Sequence, residues 1–356
     1  MNRTQPVDDR HRPLVSFVVP NFDGRDMLEL CLNSLAKLRF PSDEFEVIVV
    51  DNGSTDGSRE MIRQKRGVRL LALPRNEGFA KAVNVGAIQS SGEFIALVNN
   101  DVELSADWLD EILTSLSSDA GAAAATGKLL FKHRPEIIND LGALLLLSGV
   151  GLHRSLGSIN RASDHVTSVG APSGAACLIR KSDFFAVGGF DDSYFAYFED
   201  VDLGWRLWQR GRKVIYVPSA VAYHRWRATA LRLGSQFRSY HNAKNSFASF
   251  VKNAQSRFLP EAFFLWVVRL LFDVMRCTRA GDAQALIGIV RSVGWCLRNL
   301  GQLTEKRRNI QHNRLVSDVE LIRLMVLGRL REGFTEVLRL RRLNDGLDYW
   351  NPAIRR

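Results

Sequence analysis

The 356-residue chain has only four cysteines, Cys31, Cys177, Cys277 and Cys296, scattered with no paired spacing. That argues against a disulfide framework and favours reduced thiols in a cytosolic compartment. No run of about 18 uncharged apolar residues is present, so a helix spanning a bilayer is not expected. The opening MNRTQPVDDRHRP is polar and charged, with no apolar centre. It reads as a loose tail over residues 1–13, not as a secretory signal. There is no internal repeat, no low-complexity tract and no known nucleic-acid motif, which argues against a nucleic-acid partner.

What is there is the composition of a globular protein, 46% hydrophobic and 24% charged. The length suffices for one large domain or two ordinary ones. The formal charge is +10, and residues 261–356 hold 17 Lys and Arg against 10 Asp and Glu. Most of the excess therefore lies in the last quarter, and a basic end implies an anionic partner.

The first part alternates strand and helix signals. LVSFVVP (14–20) reads as a buried strand ended by proline, and FEVIVVD (45–51), RLLALP (69–74) and EFIALVNND (93–101) read as three more. DMLELCLNSLAKL (26–38) and FAKAVNVGAIQS (79–90) read as helices, and SADWLDEILTSL (105–116) predicts another with Ser105 as N-cap. This alternation predicts an α/β protein with a mostly parallel, doubly wound sheet. Beyond AAAATGKLLF (122–131) the pattern weakens, and residues 132–172, rich in Gly, Ser and His, read as a long excursion. Residues 174–224 then predict a strand, a short helix, a loop, a helix over about 199–210 and a strand over about 213–217. From about 236 onward the text is helical and Arg-rich.

Two strands end on an acid. In open α/β sheets ligands bind beyond the carboxyl ends of the strands. Asp51, followed by NGSTDGS, offers a fixed acceptor for the N–H and O–H groups of a base or ribose; alternatively it only caps a βα turn. Gly53 and Gly57 permit unusual backbone angles, and Ser54 or Thr55 can cap the next helix. Asn99 and Asp101, two apart on an extended segment, face one side and can hold a divalent cation, or else belong to a stray acidic loop. Asn76, Gly78, Asn84 and Gly86 surround a helix start whose amides can face phosphate or base, or which is an ordinary capped helix. Glu199, Asp200 and Asp202 crowd three acids into four positions. Their repulsion can raise one pKa toward neutrality, unless they are simply an acid-rich helix N-terminus.

Six stretches, FVVPNFDG, VDNGSTDGS, NEGFAKAVNVG, LVNNDVEL, GGFDDSYFAYFEDVDLGWRLWQRG and VPSAVAYH, are similar in order and spacing to the family 2 glycosyltransferases of GT-A fold over roughly residues 14–245. The nearest resemblance is to the rhamnosyltransferase-like branch, which builds bacterial surface polysaccharides. It implies a nucleotide-diphospho-sugar transferase fold, Rossmann-like with a mixed sheet, over 14–240 and a basic helical C-terminal region over 241–356. It further implies that Asp51 contacts the nucleobase or ribose, with Pro20, Asn21 and Asp23 bordering the same pocket, Gly53 in its loop, and Asn76, Gly78, Phe79 and Lys81 on the base and sugar side. The NND stretch, Asn99, Asn100 and Asp101, takes the place of the family's Asp-x-Asp signature. Asp101 is then the metal ligand for Mg2+ or Mn2+, and Asn99 replaces the first acid, a poorer ligand for a hard cation. Asp200 matches the catalytic base, with Glu199 and Asp202 beside it. His224 matches a residue that can complete the metal site, although a lone histidine is more often structural.

On the acceptor side the resemblance implies Gly174 and Ala175, small enough for a sugar to approach, and Asp202 as an acceptor contact. Phe195, Tyr197 and Phe198 form either an acceptor platform or core; Trp205 and Trp208 read as core. Leu265, Val268, Leu271, Phe272 and Met275 form an apolar stripe flanked by Arg269, Arg276 and Arg279. That stripe is a peripheral contact with an anionic membrane at the cytoplasmic face, a packed subdomain or an oligomer interface. The expected activity is inverting, metal-dependent transfer of a hexose or deoxyhexose, with rhamnose favoured, from a nucleotide diphosphate to a glycan or polyprenyl-diphosphate-linked glycan. The alternative is a non-catalytic scaffold of the same fold.

Overall fold

The structure, a computed structural model, describes residues 13–161, 165–225, 233–329 and 331–332. The tail expected over 1–13 lies almost entirely outside the described residues. In chain order come β1 (Val15–Asn21), α1 (Arg25–Leu35), β2 (Phe45–Asn52), α2 (Ser58–Gln64), β3 (Val68–Leu73) and α3 (Phe79–Ile88). Next are β4 (Phe94–Val98), β5 (Val102–Leu104), α4 (Trp108–Ser118) and β6 (Ala122–Phe131). The short strands β7 (Arg134–Asp140), β8 (Ala143–Leu146), β9 (Gly151–His153) and β10 (Thr167–Val169) follow, then β11 (Ala176–Arg180), α5 (Lys181–Ala186), α6 (Glu199–Gln209) and β12 (Lys213–His224). The chain ends in α7 (Gly234–Asn253), α8 (Leu259–Arg279), α9 (Ala283–Arg298), α10 (Leu300–His312), α11 (Asp318–Arg323) and β13 (Leu327–Gly328).

β1, β2 and β4 are buried along their whole apolar runs, which is why they read as continuous Val/Ile/Leu segments rather than alternating ones. The main sheet has ten strands, with the path β10-β12-β6-β11-β4-β1-β2-β3; β5 adds to β12 and β7 to β6. The predicted parallel array is interrupted once along its centre: β3, β2, β1 and β4 run parallel, as do β6 and β12, whereas β11 lies antiparallel between β4 and β6. Register sets the functional rim. Asn21 is level with Asp51 across β1 and β2, and His224 is level with Val102 across β12 and β5, one residue from Asp101.

Several local expectations are corrected. Ser105 does not cap α4; Asp107 holds that place with no side-chain cap bond. Neither Ser54 nor Thr55 caps α2, whose N-cap is Gly57. Residues 132–172 are not a bare excursion, for they carry β7 to β10. β8 and β9 pair as a hairpin, and β13 adds a parallel strand to it from the end of the described chain. The strand expected over 213–217 runs on to His224.

The C-terminal helices are fastened to the sheet by buried charge. Lys252 on α7 places its Nζ 2.6 Å from Asp191 and 3.0 Å from Asp202; Lys306 on α10 reaches Asp191 at 2.6 Å. Asp202 is fully buried and also takes Arg206 at 2.9 Å, the Asn253 amide at 2.8 Å and the Tyr194 hydroxyl at 3.2 Å. Burial raises its pKa, but Arg206 and Lys252 more than offset that and hold it low. Asp202 is thus a structural anchor and not an acceptor contact as expected. Removing one partner from a buried ion group strands charge in a poor solvent. Lys252→Met is therefore expected to lower the unfolding free energy by about 3 kcal/mol, read as a drop in urea midpoint at unchanged slope.

Candidate active site

The rim begins with amides joining neighbouring strand ends. Asn21 donates from Nδ2 to Asp51 Oδ2 at 3.3 Å and to Ser54 Oγ at 3.2 Å, and its Oδ1 accepts from Asn100 at 2.7 Å. Asp51 has no exposed surface. Its Oδ1 accepts from the Ser54 amide at 3.1 Å and from Arg59 Nε at 2.6 Å. Asp51 is therefore the floor beneath the rim, and the direct contact with base or ribose expected of it is not open in this conformation. Pro20 is buried in β1, while half-buried Asp23 accepts from the Thr55 amide at 2.7 Å.

Asn52, which sequence reasoning passed over, pins the neighbouring loop. It donates to Asn76 Oδ1 and the Gly78 carbonyl, both at 3.0 Å, and accepts from the Glu77 amide at 2.8 Å. Gly53, at φ 84°, packs so closely that a Cβ would meet the Arg75 backbone at 2.6 Å, so its left-handed turn has no room for a side chain. The start of α3 does not face open space. The amides of Phe79 and Ala80 donate to the Phe195 carbonyl at 2.6 and 3.3 Å, and Lys81 pairs with Asp192 at 2.9 Å. The expectation that these amides meet phosphate or base is corrected: they dock the loop before α6.

At the other side of the rim, Asp101 Oδ1 lies 3.3 Å from His224 Nε2, and both residues are buried. Burial raises the Asp101 pKa, but His224 and Arg225 outweigh it and the carboxyl lies below its ordinary value. His224 Nδ1 is 2.8 Å from Asn139 Oδ1. An amide oxygen can only accept, so Nδ1 carries the hydrogen and Nε2 is the ring atom turned toward the carboxylate. Two acceptors at that separation need a proton or a cation between them. Asn99, whose amide N donates to the Ala175 carbonyl at 2.9 Å, leaves its buried Oδ1 without a partner. Among the described residues no three His, Cys, Asp or Glu side chains converge. Asn99 to Val102 form a turn and not the extended segment expected, the Val102 amide donating to the Asn99 carbonyl at 3.1 Å; Asp101 and His224 suit a divalent ion that keeps places for other oxygen ligands, for which the unpartnered Asn99 Oδ1 is a candidate.

Asp200 stands in the first turn of α6. Its Oδ2 accepts from the Gly174 amide at 2.9 Å and Oδ1 from the Val201 amide at 2.8 Å. A Cβ on Gly174 would come within 3.0 Å of that carboxylate, so the small residue serves Asp200 directly. Burial raises the Asp200 pKa, with Asp140 adding to it, against the opposing pull of His153 and the two amides. Glu199, more deeply buried, is raised further by burial and by the charge of Asp200, and its Oε2 has no partner. Two residues from the excursion come close: Asp140 pairs with His153 at 3.2 Å. No sequence signal marked Asn139, Asp140 or His153.

The loop entering α6 is strained. Phe195, Tyr197 and Phe198 all have left-handed φ, at 64°, 73° and 65°. Each such non-glycine residue costs on the order of 1–3 kcal/mol and persists only where its surroundings over-determine it. Phe195 stacks on Phe237 and His241 of α7, and Tyr197 on Phe237. Trp205 and Trp208 are buried core.

A family model described as Glycosyl transferase family 2 matches residues 16–140. The N-acetylglucosaminyl-diphospho-decaprenol L-rhamnosyltransferase of Mycobacterium tuberculosis is 32% identical over 226 residues, 56% of this chain and 73% of that protein. The O-antigen biosynthesis protein RfbC of Myxococcus xanthus is 33% identical over 220 residues, 58% of this chain and 17% of that protein. Among solved structures, the mannosyltransferase PcManGT of Pyrobaculum calidifontis with GDP-Man and Mn2+ superposes with TM-score 0.52 at 17% identity, over 85% of this chain and 87% of that one. GalNAc-T7 with UDP, GalNAc and Mn2+ gives TM-score 0.54 at 18% identity, over 68% and 48%. The sheet with its C-terminal helices is the GT-A fold, and the match to the rhamnosyltransferase over nearly three-quarters of its length shows that the chain belongs to glycosyltransferase family 2.

Proposed function

We propose that this glycosyltransferase moves a sugar, rhamnose or another hexose or deoxyhexose, from a nucleotide-diphosphate donor to a glycan or polyprenyl-diphosphate-linked acceptor in surface-polysaccharide synthesis, with inversion. The relative from M. tuberculosis, named for a rhamnosyl transfer to a decaprenol-diphospho sugar, supports donor and acceptor class. The observation that carries the reading is His224 Nε2 facing Asp101 Oδ1 at 3.3 Å, with the Asp200 carboxylate held separately on the Gly174 amide. Asp101, His224 and Asn99 would hold Mg2+ or Mn2+. The chemistry such an ion supplies when bound is stabilisation of charge on the departing diphosphate.

The rest falls to the chain's own groups. Asn21, Asn52, Asn76 and Asn100 shape the nucleoside side, with Asp51 rigid beneath them. Asp200 takes the proton of the acceptor hydroxyl while that oxygen attacks the anomeric carbon from the face opposite the diphosphate. One displacement forms one bond and breaks one, which inverts the configuration. Residues 14–240 would supply donor chemistry, and the helices from 241 onward would brace it.

Among the described residues no helix is long and apolar enough to cross a membrane. Phe263, Phe264, Leu271 and Met275 of α8 are exposed near Arg276 and Arg279, whereas Leu265 of the expected stripe is buried in the core. This split supports peripheral docking of the exposed face on an anionic bilayer, at the inner face of the plasma membrane.

Five outcomes test this. EDTA is expected to abolish nucleoside-diphosphate release from a panel of nucleotide sugars, and Mg2+ or Mn2+ to restore it. Asn139→Ala should weaken the activating metal roughly 10–100-fold by freeing the His224 ring; metal-independent turnover would remove the ion from the site, and calorimetry finding no nucleotide bound would favour the scaffold reading. Asp200→Asn is expected to cut kcat by about 10²–10⁴ with nucleotide affinity intact. In the unmodified protein the acid limb should lie above the ordinary aspartate value of about 3.9, because the raised pKa delays ionisation and activity rises with pH through it. That limb reports the coupled Glu199–Asp200 pair rather than one residue. Finally, Phe264→Glu with Leu271→Glu should release the protein from phosphatidylglycerol vesicles in sedimentation. If binding persists, or if the substitution instead splits an oligomer, the bilayer contact is wrong.

A further inference from the structure

We propose that Asn245, on α7, is a positioning residue for Asp200: its side-chain amide holds the left-handed loop that aims the base. The inference rests on the reading of Asp200 as the base and adds a residue far along the chain that no motif points to.

Asn245 is buried, and its Nδ2 lies 3.1 Å from the carbonyl of Tyr194, 2.8 Å from that of Ala196 and 2.7 Å from that of Tyr197. Three carbonyls from four consecutive residues do not converge on one nitrogen in a helix or a strand. They do so here because Phe195, Tyr197 and Phe198 have left-handed φ and turn the peptides inward. An NH2 group has two hydrogens, so the three acceptors share them, and no hydroxyl or methyl of similar size offers the same span. Phe237 packs its ring on Phe195 and Tyr197, but His241 and Lys244 bond only the near end of the loop. His241 Nδ1 bonds the Tyr194 carbonyl at 3.1 Å and Lys244 bonds that of Ser193. Among the three polar side chains, Asn245 alone bonds Ala196 and Tyr197, within four residues of Asp200.

Beyond Phe198 the helix begins at once with Glu199 and Asp200. A relaxation of the loop toward ordinary backbone angles would swing the first turn of α6, and with it the carboxylate that the Gly174 amide now fixes. On the nucleotide side Asn21, Asp51 and Asn100 do not share this tether, being bonded among themselves and to Ser54 and Arg59, and the start of α3 meets the loop at the Phe195 carbonyl, which Asn245 does not bond. Loss of Asn245 should therefore damage chemistry and spare donor binding, a separation that general loosening of the fold would not give.

The experiment uses the full chain with whichever of dTDP-rhamnose, UDP-glucose and GDP-mannose the unmodified protein turns over. Asn245→Ala, and Asn245→Asp, which keeps the shape but replaces donors with acceptors, are each expected to lower kcat about 100-fold, as a misplacement of about 1 Å does. The affinity for the matching nucleoside diphosphate with Mn2+ should stay within about twofold. Amide hydrogen exchange should quicken in the peptide spanning 193–200 and not in β1 or β2. Ser246→Ala, a buried neighbour whose hydroxyl bonds only its own helix at Ala243, serves as the control and should leave kcat within about twofold. The inference is overturned if the asparagine variants keep their kcat, if kcat and nucleotide affinity fall together, or if neither variant folds, since Asn245 would then be a determinant of the fold. Asp200→Asn separates the two levels. Full turnover by that variant overturns the base assignment and this inference with it, whereas its collapse beside an unimpaired Asn245→Ala overturns this inference alone.

Discussion

A single ammonium brackets the catalytic loop. Lys252 touches Asp191 at one end of the segment and Asp202 at the other, and everything between them, including three left-handed residues and both members of the Glu199–Asp200 pair, is held to that span. A loop with such backbone angles would spread over many conformations if its ends were free, because each left-handed residue is uphill of an ordinary one. Fixing both ends to one charge removes most of those alternatives. The remaining freedom is taken up by the rings of Phe237 and His241 and by the docking of the Phe195 carbonyl on the start of α3.

This arrangement changes the meaning of the basic C-terminal end. Part of the excess charge is not displayed to a partner. Lys252 and Arg314 are buried, and Lys306 is turned to Asp191 while Arg314 meets Asp318, which also takes the Trp205 indole. Buried ion groups seldom add much net stability, because desolvation consumes their Coulomb gain. Their value lies in geometry: a carboxylate with several specific donors tolerates few arrangements of the helices that carry them. The helices are therefore tied to the mechanism through position. Among the described residues Arg276 and Arg279, beside the exposed apolar face of α8, stay exposed to an external anion, as do Arg291, Arg298, Arg308 and Arg323.

The legibility of the chain follows from how local each signal is. The strands β1, β2 and β4 are buried on both faces, so they appear as unbroken apolar runs, and the acids at their ends stand out. Asp101 was legible as a strand-end acid for that reason, and Asp200 as one of three acids in four positions, while the roles expected of them came from a resemblance that spans six stretches. The role of Asp51 was not, because sequence shows an acid at a strand end but not the Arg59 and Asn21 side chains that close over it. Asp202 misled in the same way: three acids in four positions look alike until helical geometry turns Asp202 inward toward Lys252. The strands of 132–172 were missed because they are three to seven residues long and form only by pairing with β6, β12 and one another. No local period records such pairing.

Those short strands are where the two chemical halves of the site meet. β7 ends in Asn139 and Asp140, where its pairing with β6 slips: Ile138 lies opposite Leu130 and Asp140 opposite Leu129, which leaves Asn139 as an extra residue. Asn139 goes to His224, which faces the donor-side carboxylate Asp101; Asp140 goes to His153, whose charge acts on Asp200. One strand end thus serves two imidazoles, one beside the carboxylate expected to hold the cation and one beside the group expected to take the proton. A direct displacement needs the departing group and the attacking oxygen on opposite faces of a single carbon. An irregular strand end, where an extra residue re-aims a side chain, lets one short segment support both.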